Sequence, residues 1–249
     1  MTGWTVRRIR RPGAGSSLYC FPHAGGSPGE YVRWSDELPD VQLWGVHLPG
    51  RTTRSAEPAF TRVAPLVDAV LDAVRFTPPF TLLGHSLGAL VAFEVARELR
   101  RRDLPAPERL ILSSCPAPPF PAPSRPVHTL SDDDLLAEIE RRSGDPMDHL
   151  RDDPVLRAAA LACYRADFAL LENHVHVPGP PLDCPVTLLA GADERLLPDP
   201  DAWAAYTGGT VERRLLPGGH FYFRTARPQT LSVLRETVST TKGDTGWTG

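Results

Sequence analysis

The chain has 249 residues, 41% hydrophobic and 23% charged, which are proportions of an ordinary globular protein and exclude general disorder. Its formal net charge of −3 gives no electrostatic reason to expect nucleic acid or a membrane surface as a partner. The four cysteines stand far apart without CxxC or zinc-ligand spacing, so we expect small buried thiols in a reducing compartment.

The N-terminal segment has no apolar core of the kind found in a signal peptide. No run along the chain approaches the ~20 apolar residues of a membrane span. These two observations predict a cytoplasmic protein.

Short apolar runs recur along the chain and are typical of strands. Their hydrophobicity is continuous rather than alternating, which predicts a mostly parallel sheet with helices on both faces. The predicted strands are 17–21, 41–47, 80–84, 109–113, 186–190 and 211–216. Helical periodicity predicts helices at 64–76, 87–102 and about 228–238. We therefore expect a single α/β domain over residues 1–239 and a disordered tail over 240–249.

A proline-rich stretch from Cys115 to Pro126 interrupts this alternation, and helical patterns without strands follow it. Ser131 is the predicted N-cap of one helix that stops at Gly144. Asp153, followed by Pro154, opens a second and longer helix. Its apolar stripe is expected to be Leu156, Ala160, Tyr164, Phe168 and Leu171. We expect this insertion, about residues 116–180, to be a lid over the active site; a helical subdomain without a gating role is the alternative.

The pentapeptide GHSLG at residues 84–88 has the G-x-S-x-G pattern of a nucleophile elbow. It stands between a predicted strand and a predicted helix, as this motif requires. Side chains two residues before and two residues after the serine would clash in so tight a turn, which explains Gly84 and Gly88. The pattern predicts that Ser86 is a nucleophile.

Eight histidines could supply the base that a serine nucleophile needs. In a nucleophile-elbow hydrolase the base comes last in chain order, after the final strand, and His220 has that place. His23 and His85 are interpreted as structural or pocket-lining. The insertion contains four more, which we expect to be solvated: His128, His149, His174 and His176.

The acid that orients the base is expected on the loop after strand 186–190, where Asp193 and Glu194 are adjacent. Either side chain could reach the imidazole. Asp193 is the preferred candidate, because a short side chain suits a loop at the edge of the sheet. An oxyanion hole needs two backbone N–H groups, for which Leu87 and Ala24 are the candidates.

Several segments, taken together, resemble a type II thioesterase, a free-standing editing enzyme of polyketide synthase and nonribosomal peptide synthetase pathways. They are CFPHAGG at 20–26, LPGR at 48–51, GHSLG at 84–88, RADF at 165–168 and PGGHF at 217–221. The sequence differs from the family's pattern in the loop that carries the acid. In the family the acid lies five residues before a proline, which corresponds to Asp193 here if that proline is Pro198. The acid also lies three residues after a glycine, which corresponds to Glu194 here if that glycine is Gly191.

The resemblance implies the α/β-hydrolase fold and hydrolysis of acyl groups stalled on the phosphopantetheine arm of an acyl or peptidyl carrier protein, as in antibiotic biosynthesis. It implies an acyl-enzyme at Ser86, an oxyanion held by the N–H groups of Ala24 and Leu87, and water activated by His220. No metal and no bound cofactor are implied. The carrier protein is the expected partner.

Two other functions stay open. An esterase or lipase acting on small oxygen esters would use the same triad, so the residues do not separate it from a thioesterase. A catalytically silent α/β-hydrolase fold serving as a binding module is the second alternative. It is disfavoured because Ser86, His220 and nearby carboxylates are all retained.

Overall fold

A seven-stranded sheet is the centre of the fold. The computed structural model describes residues 3–120, 125–144, 147–195 and 197–239. Within them the strands are β1 Thr5–Val6, β2 Ser16–Phe21, β3 Val41–Val46, β4 Phe80–His85, β5 Arg109–Ser113, β6 Val186–Gly191 and β7 Val211–Leu216. They lie in the order β1-β3-β2-β4-β5-β6-β7. Every pairing is parallel except that of β1 with β3.

Helices follow most of the strands. They are α1 Pro28–Val32, α2 Val63–Ala73, α3 Leu87–Arg101, α4 Asp132–Ser143, α5 Asp148–Arg151, α6 Pro154–Glu172, α7 Pro200–Ala204, α8 Tyr222–Thr225 and α9 Arg227–Ser239. Short 3₁₀ helices span Arg33–Asp36, Thr52–Arg54 and Val127–Thr129. Among the described residues, no helix has the length and apolar character needed to cross a membrane.

Helices cover both faces of the sheet, as the continuous apolar runs predict. Leu82 of β4 packs into a cluster that includes residues of α2 and α3. Its neighbour Leu83 belongs to a second cluster, formed with α1 and α9 on the opposite face. Successive strand residues point to opposite sides of a sheet, so each central strand is buried on both of its faces. The predicted α/β architecture is confirmed.

The described part of the segment between β5 and β6 contains three α-helices, and its predicted caps are present. Ser131 Oγ accepts a hydrogen bond from the N–H of Asp134 at 3.2 Å, and Gly144 ends α4 with φ +74°. Asp153 Oδ1 accepts from the N–H groups of Val155 and Leu156, each at 3.0 Å. These side chains satisfy donors that the first turn of a helix leaves unpaired.

The predicted stripe of α6 is partly wrong. Leu156 is 46% exposed, whereas Phe168 is buried. The buried set of the helix also contains Leu161, Cys163 and Asp167. The helix is covered on more than one side, because α4 packs against part of it and the central domain against the rest. A single stripe describes a helix with one buried face and fails here. The tail 240–249 lies outside the described residues.

Candidate active site

The predicted site residues follow the carboxyl ends of parallel strands. The loop after β2 holds Ala24, the turn after β4 holds Ser86, and the loops after β6 and β7 hold Glu194 and His220. Parallel strands end at one edge of a sheet, so these loops converge there. The loop after β5 adds Ser114, to which the sequence analysis gave no role.

Ser86 lies in a strained turn directly before α3. Its φ of 53° and ψ of −115° are rarely adopted by a residue other than glycine, and its N–H donates to the carbonyl oxygen of Ser113 at 2.8 Å. A Cβ at Gly84 would lie 2.1 Å from the carbonyl oxygen of Gly88. A Cβ at Gly88 would instead meet the end of β2, 2.1 Å from the carbonyl oxygen of Phe21. Both glycines are therefore required by close backbone approach.

The structure places Glu194, rather than Asp193, against His220. The Nδ1 atom of His220 lies 3.3 Å from Oε2 of Glu194. The other carboxylate oxygen, Oε1, accepts from Oγ of Ser114 at 2.6 Å and from the N–H of Gly191 at 2.9 Å. The Glu194 side chain is only 9% exposed. Its carboxylate is thus held in place by two further donors while it faces the imidazole.

Asp193 is exposed, and in the described part of the chain neither a hydrogen bond nor an ion pair joins its side chain to His220. Its N–H donates to the carbonyl oxygen of Gly218 at 3.0 Å, which ties the tip of one loop to the other. The preference for Asp193 over Glu194 therefore disagrees with this geometry. The physical reason is the turn at residues 192–193, whose tip points to solvent, so that the next residue returns toward the sheet.

His23 and His85 are packed inside the protein, in agreement with the structural interpretation. The Nδ1 atom of His85 lies 2.7 Å from Oγ of Ser113, and that of His23 lies 3.0 Å from the hydroxyl of Tyr31. Burial, then the nearby Arg224, lowers the pKa of His23 to about 3. Burial also holds the pKa of His85 well below its ordinary value. Both rings are neutral near pH 7, whereas His220 is 29% exposed and faces an acid.

Three of the insertion's histidines are not free in solvent, contrary to the expectation. His128 pairs with Glu172, and the side chains of His174 and His176 are 9% and 8% exposed. The ligand atoms of Glu94, His174 and His176 lie within 4.8 Å of one another, as a metal ion would require. However, Glu94 already accepts two hydrogen bonds of 2.9 Å from Arg97. Because this guanidinium neutralises the carboxylate and would repel a cation, we assign no metal to the cluster.

Two amides remain available as oxyanion donors. Leu87 is the first residue of α3, and a first-turn N–H has no partner within its own helix. In the loop after β2, the N–H of Gly25 donates to Asp167 at 2.7 Å, and that of Gly26 donates to a carbonyl within the loop at 2.9 Å. The N–H of Ala24 makes no hydrogen bond to any residue that the structure describes. The predicted pair, Ala24 and Leu87, is consistent with this distribution.

Sequence patterns did not indicate a role for Ser114, Arg51 and Asp167. A serine after β5 carries no recognisable motif, so nothing indicated that it would bind Glu194. Arg51 and Asp167 belong to the LPGR and RADF segments, and those motifs were the signal that could have pointed to a role. Only the fold shows that the two side chains meet, 2.5 Å apart.

An elbow after β4, a carboxylate after β6 and a histidine after β7 of a mostly parallel sheet define an α/β-hydrolase. The family model described as "Thioesterase domain" matches residues 16–238. The chain therefore belongs to the thioesterase family.

Named relatives narrow this assignment. Thioesterase PikA5 of Streptomyces venezuelae is 38% identical over 97% of this chain and 88% of its own length. The RedJ thioesterase of the prodiginine pathway in Streptomyces coelicolor is 36% identical, with a TM-score of 0.81 over 92% of this chain and 91% of its own. BorB, a type II thioesterase from the borrelidin biosynthetic cluster, is 33% identical, with a TM-score of 0.83 over 94% and 96%. The resemblance to type II thioesterases is confirmed.

Proposed function

We propose that this protein hydrolyses acyl thioesters carried on the phosphopantetheine arm of acyl or peptidyl carrier proteins, in the cytoplasm. The observation that carries the proposal is the contact of 3.3 Å between His220 Nδ1 and Glu194 Oε2, beside the elbow of Ser86. The relatives include proteins of gramicidin S, cadicidin and borrelidin biosynthesis and a type II thioesterase of an NRPS/PKS pathway, and this setting supports a carrier-bound thioester as the substrate.

In the proposed mechanism, Oγ of Ser86 attacks the thioester carbonyl carbon while Nε2 of His220 takes its proton. The N–H groups of Ala24 and Leu87 stabilise the oxyanion of the tetrahedral intermediate. The carbon–sulfur bond then breaks, and His220 returns the proton to the departing thiolate. A water molecule, deprotonated by His220, releases the acid by the same steps. Glu194 stabilises the imidazolium in both halves of the reaction.

We also propose that residues 1–239 form one catalytic domain and that the insertion, about 116–180, covers the approach to Ser86. Tyr164 and Asp167 of α6 contact the loop that bears Ala24, which supports a place for the insertion above the site. Its residues would then line the path of the acyl chain.

The experiment is an intact-mass measurement on carrier proteins loaded with acetyl, hexanoyl or aminoacyl phosphopantetheine, before and after incubation with the protein. We expect loss of the acyl mass and return of the free thiol. Ser86→Ala is the matched control, because the turn depends on the glycines and not on the hydroxyl. Equal acyl loss with the wild type and with Ser86→Ala would overturn the proposal.

A small-molecule esterase is tested in the same series. The same acyl group is offered on a carrier protein, on free pantetheine and on nitrophenol, and kcat/KM is compared. A carrier-specific thioesterase has its highest kcat/KM on the carrier. If the nitrophenyl ester is the best substrate and the carrier adds nothing, the protein is an esterase.

A further inference from the structure

Two segments that the proposed mechanism does not use meet inside the protein. Arg51 ends the LPGR segment after β3, and Asp167 lies in RADF on α6, 116 residues further along the chain. An Nη atom of Arg51 donates to Oδ1 of Asp167 at 2.5 Å. The two side chains are 5% and 1% exposed, so the ion pair is almost completely removed from solvent.

This ion pair holds the loop that bears the proposed oxyanion donor. The second carboxylate oxygen of Asp167 accepts from the N–H of Gly25 at 2.7 Å. The other terminal nitrogen of Arg51 donates to the carbonyl oxygen of Gly26 at 3.2 Å. Of the two residues that follow Ala24, Gly25 is therefore bound by Asp167 and Gly26 by Arg51.

Gly25 itself leaves room for this arrangement. Its φ is +71°, and a Cβ there would lie 2.2 Å from the ring of Tyr164, also on α6. The loop thus lies directly against the helix, with an aromatic ring on one side and the carboxylate at its amide.

Stability alone does not account for so costly a contact. Burying two charges removes them from water, and well-packed apolar residues of similar size are often as stable as a buried ion pair or more so. The charged pair does, however, orient the groups it binds, because a carboxylate and a guanidinium hold their hydrogen-bond partners at defined angles.

We propose that Arg51 and Asp167 are positioning residues that fix the peptide bearing the N–H of Ala24 in the oxyanion hole. The proposal rests on the proposed function. It also means that catalysis depends on the position of α6. If this helix moved away from the domain, the loop would be released, and the N–H of Ala24 would no longer be held in place to stabilise the oxyanion formed at Ser86. The insertion is then coupled to catalysis and does not act only as a cover.

The test compares variants that separate position from stability. Arg51→Met/Asp167→Leu removes both charges together and leaves no uncompensated buried charge. Asp167→Asn keeps an oxygen that can accept from the N–H of Gly25, but it leaves the buried charge of Arg51 without its partner, so its kinetics are compared only if it melts cooperatively. Arg54→Met is the matched control, because Arg54 is also buried and its side chain donates to the carbonyl oxygen of His47 and to Glu57, neither of which lies in the loop after β2 or on α6.

Two readouts are measured on variants that melt cooperatively: kcat and KM for a nitrophenyl ester, and binding of an alkyl boronic acid, which forms a tetrahedral adduct with a catalytic serine. We expect the double variant to lose kcat by a factor on the order of 10²–10³, the cost of one oxyanion donor, with KM little changed. Boronate affinity should fall in parallel. Asp167→Asn should recover most of the activity, and Arg54→Met should keep wild-type kcat.

A folded double variant with wild-type kcat and boronate affinity would overturn the proposal, as would an equal loss of kcat in Arg54→Met. Both readouts need only the serine nucleophile. A wild-type protein that ignores acyl carriers but turns over the nitrophenyl ester would contradict the proposed function, and the positioning role would still be tested.

Discussion

Glu194 meets His220 with a carboxylate that is already oriented by Ser114 and Gly191. Such an acid holds the imidazole in the tautomer that leaves Nε2 free to accept a proton. A glutamate here has one more methylene than aspartate, so the loop after β6 has to keep its backbone farther from the ring. The contacts to Ser114 and Gly191 restrict the additional freedom of the longer side chain.

The first prediction follows from these contacts. Glu194→Gln should lower kcat by a factor on the order of 10⁴, as loss of the orienting acid does in serine proteases, because an amide no longer fixes the tautomer or stabilises the imidazolium. Asp193→Asn, one residue away and exposed, is the matched control and should change kcat less than about tenfold. Steady-state kinetics on an acyl-pantetheine substrate measure both. The reverse pattern would return the role to Asp193.

At the residue scale, the sequence could predict groups that lie in fixed relation to a motif. Ser86 and Leu87 are set by the elbow, and the place of His220 by its position after the last strand. The choice between Asp193 and Glu194 depends on which way one turn points, and sequence spacing does not contain that information. Ser114 binds the acid from another strand's loop, a relation that exists only in the folded sheet.

At the element scale, the elbow joins β4 to α3 through a backbone contact that leaves no space for a side chain. A Cβ at Gly84 would be 2.1 Å from a carbonyl oxygen, and that atom belongs to the backbone and cannot rotate away. The helix is therefore brought as close to the strand as its backbone permits, which aims its first turn at the site.

The second prediction is that Gly84→Ala displaces the first turn of α3. We expect the unfolding free energy to fall by about 1–3 kcal/mol, the usual cost of overpacking, and activity to fall well below that of the wild type. Gly13→Ala is the control, because nothing lies within 4 Å of a Cβ there. Urea unfolding and ester turnover are measured for both. Retention of full activity in Gly84→Ala would show that the elbow tolerates a wider turn.

The third prediction concerns the start of α6. Asp153→Ala removes a side chain that accepts from two first-turn N–H groups, and should cost about 1 kcal/mol of helix stability. Amide hydrogen exchange in the first turn of α6 should become faster. Asp152→Ala is the matched neighbour, which caps no N–H of α6, and should leave the exchange unchanged. Equal acceleration in the two variants would mean that local charge, and not capping, is responsible.

Elements with long and continuous patterns were predicted well. Six of the seven described strands and the helices α2, α3, α4, α6 and α9 fall at or within a few residues of the predicted positions. Strand β1 has two residues, too short for a periodicity, and it is held by its pairing with β3. Helices α1, α5, α7 and α8 have four or five residues each and were missed for the same reason.

At the scale of the whole molecule, the sheet explains why residues far apart in sequence form one site. Loops after β2, β4, β5, β6 and β7 meet at one edge, and α6 of the insertion contacts the first of them. This convergence buries ionisable groups around Ser86. Among them, His23 and His85 lie with their rings 5.8 Å apart, and His85 is 4.8 Å from His220.

The fourth prediction is that the folded protein loses stability as the pH falls below about 6.5, because His23 and His85 are buried in neutral form. The pKa of His23 is lowered to about 3 by burial and by Arg224, and that of His85 is well below its ordinary value. In the unfolded chain both have a pKa near 6.5, so the unfolded state binds more protons than the folded state as the pH falls below 6.5, for His23 down to about pH 3. Unfolding therefore becomes more favourable as the pH falls. From pH 7 to 5.5, protonation of His23 in the unfolded chain should lower the unfolding free energy by about 1 kcal/mol, and His85 should lower it further, while most carboxylates stay ionised. Urea unfolding at the two pH values measures the loss in the wild type and in His23→Gln, which lacks one of the two groups. The loss should be about 1 kcal/mol smaller in His23→Gln, whatever the stability of that variant at pH 7. If the wild type and His23→Gln lose the same unfolding free energy between the two pH values, His23 titrates normally in the folded protein and is open to solvent.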